Sequence, residues 1–515
     1  MISFNLLSFA FPLSFFHAFI GLAFLTVLFS LIRKKRSKDT GDVPIVPYRL
    51  PWFGSALDIA RYGLKVWLKN KSLQYGPVFR AYISGTAYLF VIDPIASRQV
   101  LNMKDTDVSL YAQEFVFKNA MMMRHKDVDN YLSAGDKVNH LLIENHFKTN
   151  ALSDILYQAQ RDMRQMLPPN QNGTKCGIYD FVGKIIYRIV VSELVDIPEL
   201  LTDRSFEYFN ALIVRVNALT FTHVYRQKYV EPRAYHAREF LVSIIKKHLC
   251  DHVEESTTKG EIGRGGDAFL KGKGVSIDGR ARLMLANLWV ALFNILPTAF
   301  WLVHHILEDP VAKQAVVEEI RKIGQNRKEK SSNNNTIFTH DDLNEMYMLE
   351  SMLLETFRFD TTREIFRLRR AVGHLDLQLS MADGKKVQVS VDRGSKIITC
   401  PPLSNRDDEV FQSADKFVWN RFAPTCAGPV EFRKNDKILP NPIDIFGSGP
   451  HYCPGRNFAR GLLKALIANL LLQYDICFSE NGDKKIPGLY KSVAISMFKT
   501  TAPDTDVEIE LYSVQ

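Results

Sequence analysis

Cys453 lies in a glycine-rich loop whose residue types suit a metal-bound thiolate. A thiolate that binds haem iron needs a tight turn in which backbone N–H groups donate to the sulfur, since these donors lower the thiol pKa and tune the electron density given to iron. Glycine permits the positive φ and the close approach that such a turn requires. The loop reads FGSGPHYCPG and contains Phe446, Gly447, Gly449, Cys453 and Gly455. The pattern therefore predicts that Cys453 binds a haem iron.

The residues on either side of Cys453 support this interpretation. After Gly455 the run RNFARGLLKALIANLLL predicts a helix, and its N-terminus directs positive partial charge towards the sulfur. His451, two residues before the cysteine, is placed to donate to a negatively charged haem propionate. The other interpretation is a buried structural cysteine in an ordinary loop. A phenylalanine, three glycines, a basic residue and a cysteine at these spacings are too specific a combination for that.

The stretch 446–455 resembles the haem-ligand signature of the cytochrome P-450 family. The resemblance extends over essentially the whole chain, and it implies that Cys453 is the axial thiolate and that the cofactor is haem b. It also implies the fold of that family, which is mainly α-helical with small β-sheets (α+β). His451 replaces the arginine that the family usually has at this position and keeps a hydrogen-bond donor there.

Three further residues match a buried network of the same family. Glu355 and Arg358 form its ExxR pair, and a spacing of three places both side chains on one face of a helix, where they can pair. The resemblance assigns Arg421, in DKFVWNRF, as the third member. Arg367, nine residues after Arg358, falls where relatives place a second contact to a haem propionate. Because other arginines surround it in the sequence, a solvated basic face is the alternative interpretation for Arg367.

A long apolar segment at 283–307 contains no Asp, Glu, Lys or Arg and predicts a buried central helix rather than a second membrane span. In most family members this helix carries a small residue, an acid and a threonine that deliver protons to dioxygen. Alignment of LWVALFNILPTAFW puts Ala291 at the small position, Phe293 at the acid and Asn294 at the alcohol. Pro297 removes a backbone N–H and frees the carbonyl of Phe293. Alternatively the helix only packs, and Asn294 faces a neighbouring element.

The same helix motif resembles the branch of the family that contains cholesterol 7α-hydroxylase, sterol 12α-hydroxylase and prostacyclin synthase. We therefore expect a membrane-anchored haem-thiolate monooxygenase that oxidises an apolar small molecule, such as a sterol or terpenoid. Dioxygen and electrons from NADPH-cytochrome P-450 reductase would drive it, with Arg456, Arg460 and Lys464 as candidate docking residues. Two alternatives stay open: a reductase-independent isomerase or dehydratase of a peroxide, and a non-catalytic haem protein that binds a lipid or a gas.

The N-terminus predicts a membrane anchor. No Asp, Glu, Lys or Arg occurs at 1–32, and the basic run RKKRSK follows at 33–38. About 20 apolar residues span a bilayer, and the positive-inside rule places the rest of the chain in the cytosol. We expect a single-pass protein of the endoplasmic reticulum membrane with an anchor at 1–38, a proline-rich connector at 39–54 and a catalytic domain at 55–515. The net charge of +9 is spread along the chain and gives little support for nucleic-acid binding.

Local patterns predict several other elements. Aromatic and β-branched residues predict a β-hairpin over 79–92, and 386–399 alternates like strands. Stretches rich in glycine, lysine or asparagine predict surface loops at 254–278 and 324–336. Thr339 is expected to cap the helix that begins DDLNEMYMLE.

Overall fold

The computed structural model describes residues 43–514 with gaps. The gaps are 49, 51, 110–115, 222–223, 252–258, 331–336, 363–364, 427, 480–502 and 504. The predicted membrane anchor at 1–38 lies outside the described residues, as does the start of the predicted connector.

The described part of the chain is mainly helical, which confirms the predicted fold class. Its α-helices are α1 (Ala56–Tyr62), α2 (Leu64–Tyr75), α3 (Pro94–Leu101), α4 (His125–Asn130), α5 (Asp136–His146), α6 (Thr149–Met166), α7 (Ile178–Leu194), α8 (Asp203–Phe221), α9 (Gln227–Val230), α10 (Pro232–Asp251), α11 (Glu261–Gly272), α12 (Ile277–Glu308), α13 (Pro310–Lys330), α14 (His340–Asn344), α15 (Tyr347–Thr356), α16 (Pro401–Ser404) and α17 (Arg456–Gln473). Single π-helical turns lie at Val116–Ala120, Tyr131–Gly135 and Phe357–Thr361.

The strands form small sheets. They are β1 (Val78–Ile83), β2 (Thr86–Val91), β3 (Val108–Ser109), β4 (Asn172–Gly177), β5 (Arg367–Ala371), β6 (Leu375–Ser380), β7 (Lys386–Val391), β8 (Lys396–Thr399), β9 (Arg433–Lys434), β10 (Lys437–Ile438), β11 (Tyr474–Phe478) and β12 (Glu508–Ser513). Within the described residues, the order β1-β2-β8-β5-β3 forms the largest sheet, and β11-β12-β4 forms another. The hairpin predicted over 79–92 is confirmed as β1 and β2, and the strands predicted over 386–399 are β7 and β8.

Helix α12 forms the centre of the helical core, as its apolar sequence predicts. The Ser276 side chain caps it by accepting a hydrogen bond from the N–H of Gly279 at 3.1 Å, and the helix packs against α7 and α10. Among the described residues it is the helix that is long and apolar enough to cross a membrane, but most of its apolar part is buried inside the protein. It is therefore a core helix, and Pro297 lies within it.

The proline-rich connector packs on the body over its described part. The N–H of Val46 donates to the Arg80 carbonyl at 2.8 Å, and the Arg80 N–H donates to the Pro44 carbonyl at 2.9 Å. Val43 and Val46 are buried. This segment thus extends the edge of the main sheet at β1 and is not set apart from the catalytic body.

Two predicted loops and one predicted helix differ from the structure. The segment 254–278 contains helix α11, and 324–336 begins with the last turns of α13. Thr339 does cap a helix, because its hydroxyl accepts from the Asp342 N–H while Asp342 accepts from the Thr339 N–H. That helix ends at Asn344, however, and α15 starts separately at Tyr347.

Candidate functional site

The Cys453 loop is a tight turn held by backbone contacts. The N–H of Cys453 donates to the Phe446 carbonyl at 3.0 Å. Gly447 and Gly449 adopt φ values of 76° and 70°, a region that glycine enters without strain. A Cβ on Gly449 would lie 2.5 Å from the carbonyl oxygen of Leu101. Both glycines are therefore required by the backbone of this turn, as the sequence predicts.

The surroundings of the Cys453 sulfur combine burial with positive charge. Burial raises the pKa of the thiol, while the N–H of Gly455 and the Arg367 and Arg456 cations oppose that increase. Gly455 acts through this N–H and not through a special conformation. Its φ is −88°, and a Cβ there would meet no atom of the described residues within 4 Å beyond its chain neighbours. The prediction that Gly455 needs a positive φ or a close approach is wrong.

Arg367 holds the chain that leads into the cysteine loop. Its Nε donates to Asp444 Oδ1 at 3.0 Å, and its Nη2 donates to the Ile445 carbonyl at 2.6 Å. A Cβ on Gly447 would lie 3.7 Å from the guanidinium carbon of Arg367. The side chain is only 18% exposed. Arg367 therefore belongs to the site and not to a solvated basic face, and its visible contacts are to the loop itself.

Arg369 is a site residue that sequence reasoning missed. It lies two positions after Arg367 on β5, so both side chains are on one face of the strand, and it is 6% exposed. Its guanidinium donates to the Leu368 carbonyl at 3.3 Å and contacts no carboxylate of the described residues. Burial and then the Arg367 cation lower its pKa to about 10, which leaves it charged at neutral pH. The Asp444 and Asp105 carboxylates act in the opposite direction, but neither forms an ion pair with Arg369. A buried cation without a directly paired anion is costly, so this position suits an anionic group of a ligand.

His451 is held by a carboxylate of the protein. Its Nε2 lies 2.6 Å from Asp105 Oδ1. The sequence predicts that the histidine donates to a haem propionate, but in the structure Asp105 takes this nitrogen. The partner comes from the loop before β3, 346 residues away, and that pairing could not be read from local sequence.

Glu355, Arg358 and Arg421 form a buried network. Arg358 makes two hydrogen bonds to the Glu355 carboxylate, at 2.7 and 2.8 Å, and Arg421 Nε lies 3.1 Å from both carboxylate oxygens. The Glu355 and Arg358 side chains are fully buried. The remaining N–H groups of Arg358 donate to the carbonyls of Asn405, Ala414 and Lys416. The network thus fixes the chain between β8 and the cysteine loop against α15.

The basic residues after the loop are less available than their sequence suggests. Arg460 and Lys464 both contact the Glu350 carboxylate, and Lys464 is 4% exposed. Arg456 donates to the Cys453 carbonyl at 2.9 Å and lies over the Tyr452 ring. Lys464 is therefore held inside the fold and does not suit the predicted docking role. The Arg460 side chain is 41% exposed, and its role in docking stays a prediction.

Ala291 and Asn294 share an accessible stripe in the middle of helix α12, most of which is buried. Val290, which directly precedes Ala291, is 56% exposed, and Ala291 and Asn294 are half-buried. Positions i, i+1 and i+4 lie on one side of a helix. Since this helix runs through the core, an exposed valine here means that this side borders an open space. The stripe is lined by one apolar and one small side chain and by one amide.

Phe293 does not lie on this stripe. Its ring packs against Trp289, with centroids 4.8 Å apart, and it is 3% exposed. The structure therefore does not bring Phe293 together with Ala291 and Asn294 as a site residue. The stripe of Val290, Ala291 and Asn294 has no acidic side chain.

These features fit haem. Cys453 offers a sulfur donor close to an N–H group and two cations, and Arg369 is a buried cation that forms no ion pair with a carboxylate of the described residues. On α12, Val290 is exposed although most of the helix is buried. Haem has an iron that binds thiolate and two carboxylates that need cations, so the donor set matches the group.

Comparisons with known proteins agree with this chemistry. Residues 44–496 match the family model described as Cytochrome P-450. The chain is 25% identical to cytochrome P-450 7B1 of Mus musculus over 494 residues, which cover 92% of each chain. It is 26% identical to prostacyclin synthase of Homo sapiens over 470 residues, 88% of this chain and 90% of the relative.

A sterol-modifying relative and a solved structure extend the comparison. The chain is 24% identical to 7-alpha-hydroxycholest-4-en-3-one 12-alpha-hydroxylase of Homo sapiens over 469 residues, 86% of this chain and 87% of the relative. The solved structure of retinoic acid bound cyanobacterial CYP120A1 matches with a TM-score of 0.66 and 16% identity, covering 92% of this chain and 100% of that one. The likeness to that structure shows the shared fold.

Proposed function

Because the chain belongs to the cytochrome P-450 family, we propose that it is a membrane-anchored haem-thiolate monooxygenase that oxidises an apolar lipid of the sterol or terpenoid class. The observation that carries the proposal is the Cys453 turn, in which a sulfur receives an N–H group and faces two cations. Burial raises the pKa of the free thiol and these groups oppose that increase, while a thiol that coordinates a metal ion loses its proton to become the thiolate ligand.

Haem, when bound, supplies the activation of dioxygen at its iron. Cys453 would provide the sulfur ligand, and the Gly455 N–H would tune the electron density on it. Arg369 would provide positive charge for a haem carboxylate, since it is buried and forms no ion pair with a carboxylate of the described residues. Arg367 holds the segment that leads into the cysteine loop through its hydrogen bonds to the Asp444 carboxylate and the Ile445 carbonyl. The Glu355–Arg358–Arg421 network keeps the neighbouring chain rigid.

The accessible stripe on α12 forms the substrate side of the site. Val290 and Ala291 offer apolar surface, which suits a lipid. The stripe has no carboxylate that could carry protons. We therefore expect a water molecule bound to the Asn294 amide to carry them. Phe293 supports this arrangement from the core by packing on Trp289.

The substrate class is supported by the named relatives. One hydroxylates a cholestenone derivative, and the helix motif around Asn294 resembles the same sterol-modifying branch. At 24–26% identity a sterol hydroxylase and prostacyclin synthase favour a lipid substrate and leave the individual molecule open. An apolar stripe with a single amide is consistent with that class.

The membrane and reductase assignments are also supported by the surface. Exposed apolar side chains follow directly after the N-terminal segment: Leu50, Trp52, Phe53, Leu57 and Tyr62. Such a group suits contact with lipid beside an anchor. We place the chain in the endoplasmic reticulum membrane with its catalytic body in the cytosol, where NADPH-cytochrome P-450 reductase supplies electrons. Arg456 remains the basic candidate next to Cys453 for that contact.

The test is reconstitution of the full chain with the reductase in lipid. NADPH and dioxygen should convert a sterol or terpenoid from a panel into a product heavier by one oxygen atom. Cys453→Ser should abolish this product and shift the Soret band of the reduced, carbon monoxide-treated protein. An unchanged Soret band in Cys453→Ser would show that Cys453 is not the iron ligand. Product formation without NADPH would show that the reaction does not need electrons from the reductase.

A second function is favoured by one observation. The stripe on α12 has no acid, and the chain is as similar to prostacyclin synthase as to the hydroxylases. Rearrangement of a peroxide needs no protons delivered to dioxygen, so a lipid peroxide isomerase fits these residues. Conversion of a lipid hydroperoxide to isomers of unchanged mass, without NADPH or reductase, would favour this function.

A further inference from the structure

Three side chains with metal-binding atoms converge at the C-terminal end of α12, outside the site described above. His305 Nδ1 lies 3.2 Å from Glu308 Oε2, and His304 Nδ1 lies 3.7 Å from the same oxygen. One donor atom from each of the three residues lies within 4.8 Å of the other two. In a tetrahedral zinc site with bonds of about 2.1 Å, neighbouring donor atoms are roughly 3.4 Å apart. The donors are therefore already near the spacing that one ion requires.

His304 contributes a buried nitrogen whose hydrogen bonding is unsatisfied. The residue is 4% exposed, and its Nδ1 has no hydrogen-bond partner among the described residues. A neutral imidazole nitrogen offers a lone pair to a metal ion. Buried polar atoms almost always have partners, so this one points to a bound group.

His305 is already oriented as a metal ligand would be. Its Nε2 lies 2.7 Å from Asp360 Oδ2, and Asp360 is 1% exposed. The imidazole also stacks on Phe417, with ring centroids 3.8 Å apart. A carboxylate that holds the distal nitrogen of a histidine is the usual support of a metal-bound histidine. The Asp360 contact therefore leaves His305 Nδ1 directed towards Glu308.

Glu308 connects the cluster of His304, His305 and Glu308 to the protein surface. Its side chain is 43% exposed, while both histidines are buried. An ion can therefore enter from the surface at Glu308, and a water molecule can occupy a fourth position. Two imidazoles and one carboxylate suit zinc better than calcium or magnesium, which prefer oxygen ligands alone.

We propose that His304, His305 and Glu308 bind a divalent cation of the zinc class, with Asp360 as the residue that positions His305. Binding replaces the proton on His305 Nδ1, which is released to solvent. The ion would link the end of α12 to the π-helical turn at Phe357–Thr361, because Asp360 lies in that turn. The site is thus a structural clamp on the central helix and is independent of the proposed enzymatic function.

The test measures zinc on the full chain with its haem. Protein prepared with a non-histidine tag and stripped of loosely held metal is titrated with Zn²⁺, and zinc per chain is counted by elemental analysis. We expect one zinc per chain and a higher temperature of thermal unfolding. Glu308→Gln changes a half-exposed side chain, and His304→Phe keeps an aromatic ring beside Phe300 and Trp301. Each should weaken zinc binding at least tenfold and remove the zinc-dependent stabilisation.

The matched control is His125→Gln, which replaces an exposed histidine elsewhere and should bind zinc as the parent does. The proposal fails if the parent chain binds no zinc, or if Glu308→Gln and His304→Phe both bind it with parental affinity. It also fails if X-ray absorption at the zinc edge shows sulfur ligands, because the ion would then lie on exposed cysteines such as Cys250 or Cys426. Unfolding temperatures without metal show whether each variant is folded.

Discussion

The hydroxyl of Thr298 lies 2.9 Å from the hydroxyl of Thr361, and this contact joins the central helix α12 to the π-helical turn that contains Arg358. Thr298 also donates to the Asn294 carbonyl at 2.7 Å. Both threonines are buried. Pro297 leaves the Phe293 carbonyl without its helical donor, and the Thr298 hydroxyl, one residue further, ties the adjacent turn of α12 at Asn294 to Thr361.

Removal of either hydroxyl should destabilise the protein. In Thr298→Val or Thr361→Val the partner hydroxyl stays buried and loses a hydrogen bond, which costs about 1–3 kcal/mol of the free energy of unfolding. The double variant should lose less than the sum of the two, because one shared contact is removed twice. Urea unfolding of the four proteins measures this cycle, and strictly additive losses would mean that the two hydroxyls do not interact.

Replacement of Glu355 should be far more damaging than replacement of an exposed acid. Glu355→Gln leaves Arg358 and Arg421 without their carboxylate, and loss of one partner from a buried ion pair costs about 3–5 kcal/mol. Asp180→Asn is the matched control, because Asp180 pairs with Lys184 at 2.7 Å on the surface. That change should cost no more than about 0.5 kcal/mol. Denaturant unfolding and the yield of haem-bound protein check both, and similar losses in the two variants would contradict the prediction.

The parts of the site that could be predicted from sequence are those set by short spacings. Glu355 and Arg358 are three residues apart on one helix, and the Cys453 loop combines several glycines with one cysteine. Such local constraints leave few alternatives, and the structure brings Glu355 and Arg358 together. Arg421, 66 residues from Glu355, joins them as the family resemblance predicts and not through a short spacing.

The parts that could not be predicted depend on contacts between distant segments. The pairing of His451 with Asp105 spans 346 residues, and the burial of Arg369 depends on how β5 lies in its sheet. Helix α11 was predicted as loop because it is rich in glycine. One of these glycines is needed for packing, since a Cβ on Gly263 would lie 3.1 Å from the Leu194 carbonyl oxygen. Its composition reflects close contact with α7 and not disorder.

A methyl group at Gly449 should disrupt the cysteine loop. In Gly449→Ala the new Cβ meets the Leu101 carbonyl at 2.5 Å, and the backbone φ of 70° is strained for alanine. We expect a loss of several kcal/mol in stability or a loop that no longer holds haem. Gly373→Ala is the control, because a Cβ there meets no atom of the described residues within 4 Å. Haem content and thermal unfolding are the measurements, and a Gly449→Ala protein with parental values of both would show that the loop tolerates a side chain.

His146 should make the stability of the protein depend on pH. At the end of α5, its ring nitrogens lie 3.6 Å from Glu193 on α7 and 3.4 Å from Glu261 on α11. Burial lowers the pKa of His146, but the two carboxylates outweigh burial and raise the pKa above its ordinary value of 6.5. A histidine with a raised pKa in the folded state stabilises that state fully below the unfolded pKa, and this contribution is lost as pH rises through the folded value.

Comparison of the parent with His146→Gln isolates this contribution. The free energy of unfolding, measured in urea from pH 6 to pH 9, should differ most between the two proteins at the acidic end, because only the parent carries a protonated ring between the carboxylates there. The difference should shrink as pH rises and His146 loses its proton. His125→Gln, on the surface, should follow the parent throughout. A difference that instead grows towards pH 9 would mean that the folded protein prefers the neutral ring, and that burial outweighs Glu193 and Glu261.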